Sequence, residues 1–543
     1  MYQVEAHTPQ ELRSLGDAAL IDAIAVSARA AAAVEAHHLA AIAELTRRRL
    51  GAEQHPSWGC DDWDAAAAEI SCALTVKHGR AMVLMERAIA LAEVLPKVGA
   101  LFLAGQITAL TAMSVVSRTR LVNDPAARAQ VDSAIAAKIT GWGPLSKQKL
   151  EAALDTVVAA IDPDAKYRSR STVAGREINI GDPRADGTDL RTIWGRLSVA
   201  DAALLDEALN AMARGVCEDD PRTLAQRRAD AMGALAAHLD HLACACEDPD
   251  CSAKTGGHPA TRVVIHVVTN AAIAPAKTRT TAQAGESPEP EVAAPEVAAP
   301  EVAEGPGSHP ASPAPSPPQE PSPVPVAFIA GRVGGLISTE ALAALIALGA
   351  TVRTVTTPKQ GLQPRYRPST ALDEFIRTRD LTCRFPGCDK PAVRADIDHG
   401  HPWGDGGHTH PSSLLTRCRL HHLLKTFWDG WSETQHPDGT LDITTPTGHT
   451  YTTKPFASVM FPGWDTNTGV APPPGKPRRK RGPGHTLMMP TRKHPRAQTR
   501  ARRVERERAL NHAALDAEEA AARAAAVAAN RPPPPGRNDP PPF

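Results

Sequence analysis

Cys383 and Cys388 form one close pair, Cys418 and His421 form another, and Cys418 comes 30 residues after Cys388. No other feature of the sequence constrains its fold as tightly. Thiolate and neutral imidazole are both good ligands for Zn²⁺, and two such pairs make the closed tetrahedral set of a structural zinc site. The competing reading is two unrelated pairs of buried residues. The stretch DIDHGHPWGDGGHTHPSSLLTRCRLHH, from Asp396 to His422, also carries six of the chain's 21 histidines. On a helix, adjacent side chains point about 100° apart. If His421 faces the zinc, His422 therefore faces a second locus. The dipeptide Asp398-His399 puts a hard oxygen ligand beside an imidazole. With positions left open for water, such a pair suits Mg²⁺ or another divalent ion at a phosphate, and a remaining histidine takes a proton from water. The pattern predicts two adjacent sites, one closed and structural, one open and catalytic.

The chain has 543 residues, which implies more than one domain. Residues 10–245 read as consecutive helices: Leu, Ile, Val and Ala recur at helical spacing from the start, and further helical stretches are expected at 62–78, 79–95, 97–119, 125–139 and 146–161. Ser198 is the expected N-cap of a later helix, with Asp201 three residues on, and another helix follows Pro221. A strand is expected at 261–269 and strand-then-helix at 327–350. Between Pro288 and Pro325 lie 13 prolines, with three tandem Pro-Glu-Val-Ala units. Such a segment cannot bury a core, so 276–326 is expected to be a disordered linker, with strand signals on both sides. The assigned organisation is a helical domain at 10–245, a strand and zinc-knuckle region at 246–275, the linker at 276–326, a connector at 327–365, a small α+β module at 366–460, and a tail at 471–543. In the module, 366–380 is expected to be helical with Ser369 or Thr370 as N-cap, and GTLDITTPTGHTYTTKP has strand composition broken by a turn.

Formal net charge is zero, but Lys476 to Arg508 holds 13 Lys and Arg against two Glu. A largely disordered basic tail of this kind reads either as a clamp on phosphate backbones or as a solvated solubility tail. The N-terminus lacks the basic and apolar regions of a signal peptide, and no apolar run approaches the ~20 residues that span a bilayer. The expected location is cytoplasmic, without membrane contact. Thiols stay reduced there, so the nine cysteines read first as metal ligands or buried thiols. Cys244, Cys246 and Cys251 form a second cluster, with His241 and His258 nearby, readable either as a zinc knuckle or as partly buried thiols at a helix end.

The order C-x4-C, Asp-His, Gly-rich loop, C-x2-His-His resembles the HNH endonuclease signature. The flanking YRPSTALDEFIRTRDLTCRFPGC, LHHLLKTFWDGW and DGTLDITTPTGHTYTTKP are similar to the actinobacterial 13E12-repeat proteins, which pair an Ala-rich helical domain of unknown function with a C-terminal HNH module. The resemblance spans about residues 15–460 and is specific over 366–455. It implies a ββα-metal (His-Me finger) module in a mainly α chain. It further implies that Asp398 and His422 bind a catalytic Mg²⁺ or Mn²⁺, that His399 activates water, and that Cys383, Cys388, Cys418 and His421 hold structural zinc. Where the family has the central Asn of its signature, this chain has Ser413, a shorter side chain with one hydroxyl. The implied activity is metal-dependent hydrolysis of DNA phosphodiesters, weakened by that serine. A catalytically inactive, zinc-containing DNA-binding protein is the alternative, and a protein-interaction scaffold is a third. Arg419 and Lys425 are expected at DNA phosphates or on a solvated helix face. His401, His408 and His410 are expected to be exposed or near phosphate. Trp403, Phe427, Trp428 and Trp431 are expected in the module's core.

Overall fold

The structure, a computed structural model, describes residues 7–51, 54–166, 176–181, 190–254, 267–269, 327–329, 335–347, 354–358, 361–478 and 488–529. The Pro-rich segment, His258 and most of the strand expected at 261–269 lie outside these residues. The chain is mainly α-helical, and among the described residues no helix is long and apolar enough to cross a membrane.

The N-terminal half is built from α1 (Pro9–Ser14), α2 (Asp17–Leu50), α3 (Asp62–Leu74), α4 (His78–Ile89), α5 (Pro96–Leu103), α6 (Ala109–Thr119), α7 (Pro125–Ile139) and α8 (Lys147–Ile161). Proline opens α1, α5 and α7, where its missing N–H costs nothing. Thr8, Asp61, Thr108, Asp124 and Ser146 cap their helices through the side chain. Small residues such as Ala36, Ala43, Ala66, Ala67, Ala81 and Ala88 let the helices approach closely around Leu39, Ile70, Met85, Phe102 and Leu154.

The helix expected over 97–119 is two helices. Gly105 breaks it at φ +65°, where an added Cβ would lie 2.6 Å from the Arg29 carbonyl oxygen. The run of helices is also interrupted by an antiparallel pair, β1 (Glu177–Ile180) and β2 (Ile193–Arg196). Then α9 (Val199–Arg214) opens on Ser198, which accepts from Asp201 N at 3.0 Å, and α10 (Leu224–Ala236) opens on Thr223.

The strands on either side of the Pro-rich segment pair with each other. β3 (Val267–Thr269), β4 (Ala327–Ile329) and β5 (Gly335–Ile337) form one antiparallel sheet, with Thr269 opposite Ala327. α11 (Thr339–Ala347) follows. α12 (Thr370–Asp380) is capped by Ser369. The next elements are β6 (Asp396–His399), β7 (Leu414–Arg417) and α13 (Arg419–Phe427), then the sheet β8 (Ser432–Gln435), β9 (Leu441–Thr444) and β10 (Thr450–Thr453), and α14 (Phe456–Met460). Val268 and Phe328 pack with Phe456 and Phe461, which seats the sheet carrying β3 and β4 on this unit.

The tail departs most from expectation. Residues Arg496–Ala529 form one long helix, α15, and its N-terminal part lies on the helical half. Arg492 and Arg496 pair with the buried carboxylates Asp61 and Asp64, Arg508 pairs with Asp162 at 2.6 Å, and Val504 joins the helical core. Burial opposes ionisation of Asp64, but His78, Arg496 and Arg492 outweigh it and hold its carboxyl below the ordinary value. These three arginines are therefore spent on intramolecular carboxylates. Their partners lie more than 300 residues away, so nothing in the local composition announces them.

Candidate metal centre and active site

α3 and the C-terminal unit share a core. Cys60, Ala68 and Cys72 pack with Phe385, Leu415, Leu423, Leu424, Leu441 and Ile443, and Trp428 Nε1 donates to the Cys60 carbonyl at 3.0 Å. Gly387, at φ +70°, passes so close to the Val76 carbonyl that no Cβ could fit. Phe427, Trp428 and Trp431 do pack in or beside this core.

Cys383, Cys388, Cys418 and His421 converge there, their ligand atoms all within 4.8 Å of one another. His421 Nδ1 lies 3.3 Å from Cys418 Sγ and 3.5 Å from Cys383 Sγ, and Phe385 stacks on the imidazole at 3.8 Å. Burial pushes the Cys383 thiol up to about 12, so a cation among these sulfurs would be needed to hold it as thiolate. The donor set fits a closed, four-coordinate site for a metal ion.

The second locus begins on the hairpin. β6 and β7 pair with Asp398 opposite Leu415 and His399 opposite Leu414. A buried ionic net fixes them to α12. Arg379 Nη1 and Nη2 donate to the Pro411 and Leu414 carbonyls at 2.9 and 2.8 Å, while Asp380 Oδ2 accepts from Thr416 N at 2.7 Å and Oδ1 pairs with Arg379 and Arg384. Leu372, Phe375, Ile376 and Leu414 pack alongside.

Asp398 Oδ1 faces His422 Nε2 at 3.5 Å, and the other imidazole nitrogen of His422 contacts Asp396 Oδ2 at 2.9 Å. Asp398 Oδ2 contacts Lys425 Nζ at 3.0 Å. Burial opposes ionisation of Asp398, but Lys425, His422 and Arg417 prevail and keep its carboxyl below the ordinary range. Glu433, from β8, completes the group through Arg417 and Lys425.

His399 sits beneath Tyr366, stacked at 5.2 Å, and beside Trp403 at 5.6 Å. Its Nε2 is 3.0 Å from Thr409 Oγ1, whose own hydrogen goes to the Arg365 carbonyl at 2.6 Å. Thr409 must therefore accept, Nε2 must donate, and the lone pair of neutral His399 resides on Nδ1. Burial, the largest influence, lowers His399 to about 4.

Several sequence expectations change. Lys425 does not project to bulk phosphate; it is nearly buried on Asp398, Glu433 and the His399 carbonyl. Arg419 remains half-exposed at the rim, 3.5 Å from Asp396. Ser413 touches neither Asp398 nor His399 through its side chain. Its hydroxyl donates to the His408 carbonyl at 2.5 Å and accepts from His410 N at 3.2 Å, which braces the loop, and its carbonyl accepts from Gly400 N at 2.8 Å. His410 is buried on Ser412, His401 is exposed, and His408 is half-buried with its Nε2 3.0 Å from the Pro473 carbonyl. Trp403 is no core residue. Arg478 lies over its ring at 3.6 Å and donates to the Gly407 carbonyl, so one tail arginine does reach the site, as a brace for its loop. Sequence reading missed Asp396, Thr409 and Glu433. Asp396 could have been found two residues before Asp398 on the same strand face.

The other cysteine cluster also gains a member. Cys244, Cys246 and Cys251 are joined by Cys217, their sulfurs all within 4.8 Å, while His241 is not in the group and His258 lies outside the described residues. His241 turns to Asp240 at 2.7 Å.

Residues 26–300 match the family model described as a domain of unknown function, DUF222. Uncharacterized protein Rv3776 of Mycobacterium tuberculosis is 47% identical over 512 residues, covering 94% of this chain and 93% of the relative. Uncharacterized protein Rv2100 of the same organism is 47% identical over 526 residues, covering 94% and 91%. A third M. tuberculosis relative, the uncharacterized protein in the est 3′ region, is 46% identical over 378 residues, which is 69% of this chain and all of the relative. No solved structure matches the chain. With half its length under the family model and near-complete relatives at this identity, the chain belongs to the DUF222 family.

Proposed function

We infer that this protein is a metal-dependent DNA endonuclease of the HNH type, acting in the cytoplasm through a zinc-stapled ββα-metal module. The observation that carries the reading is Asp398 Oδ1 facing His422 Nε2 at 3.5 Å, one residue from an imidazole whose free nitrogen is fixed. A Mg²⁺ or Mn²⁺ ion held by Asp398 and His422 would stabilise charge on the phosphate and the leaving oxygen. Asp396 orients His422, as carboxylates orient metal-bound imidazoles elsewhere. His399 is neutral at physiological pH and can take a proton from water at Nδ1. Arg419, half-exposed at the rim beside Asp396, is available to pair with a DNA phosphate. Ser413 serves as a positioning residue for the loop between the strands. Zinc suits the three thiols and one imidazole of Cys383, Cys388, Cys418 and His421.

A second reading, a zinc-containing DNA-binding protein without cleavage, is favoured by one observation: His399 is only 4% exposed under its aromatic cover. A plasmid-nicking assay on zinc-loaded protein separates the two. Cleavage with Mg²⁺ or Mn²⁺, abolished by EDTA and by His399→Ala, is the expected result. Salt-sensitive DNA binding without cleavage in any metal would select the second reading.

A further inference from the structure

We propose that Cys217, Cys244, Cys246 and Cys251 form a second structural zinc site, of four thiolates, that staples α9 and α10 together. The site is independent of the nuclease reading. Its four sulfurs come from three separate places: the turn after α9, the Cys-x-Cys that follows α10, and a turn closing on Lys254. All are free thiols. Four ligands at the Zn–S bond length of about 2.3 Å sit at tetrahedron corners about 3.8 Å apart. These four sulfurs lie within 4.8 Å of one another, and Cys217 and Cys244 are 3.3 Å apart. That spread fits one mononuclear ion and leaves no room for a polynuclear iron–sulfur core.

The backbone around the sulfurs is fixed by other groups. Asp220 Oδ2 accepts from Ala245 N at 2.9 Å and pairs with Arg222, whose Nη2 donates to the Ala243 carbonyl at 2.8 Å. Cys244 N donates to the Ala253 carbonyl at 2.9 Å. These bonds tie the turn holding Cys217 to the segment holding the other three.

Among the described residues the apolar packing here is thin, with Leu205, Val216, Met232, Ala234 and Leu235 only partly buried against its core. Leu209, Met212, Ala231 and Leu242 are the buried apolar residues of the cluster between α9 and α10. So small a core does not ordinarily hold two helices together without a staple, and a structural zinc supplies folding free energy directly.

The test is metal content of the full-length chain by elemental mass spectrometry, with limited proteolysis of the same samples. The wild type is expected to carry two zinc ions. Cys217→Ser and Cys388→Ser should each carry one, and the double variant none. Cys217→Ser should open cleavage sites within 215–254 and leave 383–427 protected. Because a variant can lose metal by failing to fold, wild type and Cys388→Ser are also reconstituted with Co²⁺. The four-thiolate absorption should survive in Cys388→Ser. Loss of all zinc in Cys388→Ser with no four-thiolate cobalt absorption, two zinc ions in Cys217→Ser, bound iron, or a Cys217–Cys244 disulfide in freshly purified protein would each overturn the proposal.

Discussion

Thr409 Oγ1 lies 3.0 Å from His399 Nε2 and passes its own hydrogen to the Arg365 carbonyl. The hydroxyl thus selects which nitrogen of His399 keeps its lone pair. Thr409→Val keeps the shape and removes the acceptor. Cleavage is expected to fall roughly 10- to 100-fold, the range for residues that orient a functional group, with zinc content and DNA affinity unchanged. An unchanged cleavage rate would show that His399 needs no such partner.

Asp396 holds the far nitrogen of His422. Asp396→Asn should weaken divalent-metal affinity by about 10- to 100-fold while leaving the rate at saturating Mn²⁺ largely restored. A Mn²⁺ titration of cleavage measures both quantities. A loss that no concentration of Mn²⁺ recovers would place Asp396 elsewhere in the chemistry.

Asp380 is fully buried between Arg379 and Arg384. Burial opposes its ionisation, but the two guanidinium charges and the Thr416 N–H hold its carboxyl below the ordinary 3.8. A depressed folded value contributes stability that is complete above the unfolded value and is lost as pH falls through the folded one. Acid unfolding of the C-terminal unit, followed by Trp fluorescence, should therefore begin below about pH 4. Asp380→Asn should flatten that acid limb and cost about 3–5 kcal/mol at pH 7, because it leaves two buried guanidinium groups short of a counter-charge.

Arg496 is the partner of Asp61 and Asp64. Arg496→Ala should destabilise the helical half by roughly 1–3 kcal/mol, a figure reduced because the arginine is about a third exposed. The readouts are the thermal midpoint and proteolysis near residues 488–496. A variant as stable and as protected as wild type would show that α15 is held by its other contacts alone.

The metal-facing residues were legible in the sequence because their chemistry is declared by type and by tight local spacing. Cys383, Cys388, Cys418 and His421 sit in pairs, and Asp398 and His399 are adjacent. What stayed hidden is whatever the fold imports from afar. Glu433 arrives on a strand after the helix, and Cys217 arrives from 27 residues upstream of Cys244. β1 and β2 interrupt a run of helices that the apolar periodicity alone does not break. α15 was read as tail because its charges run all round it, without the apolar stripe by which a docked helix announces itself. Its docking depends instead on carboxylates whose need for a counter-charge appears only once they are buried.

That docking bears on the order in which the protein is assembled. Asp61 leaves the ribosome 435 residues before Arg496, and N-terminal units generally fold first during synthesis. The helical half is therefore made with Asp61 lacking its guanidinium partners and Asp64 paired with His78 alone, and it waits for nearly the whole chain before receiving its last arginines. A polypeptide broken off within the C-terminal unit would never close that gap.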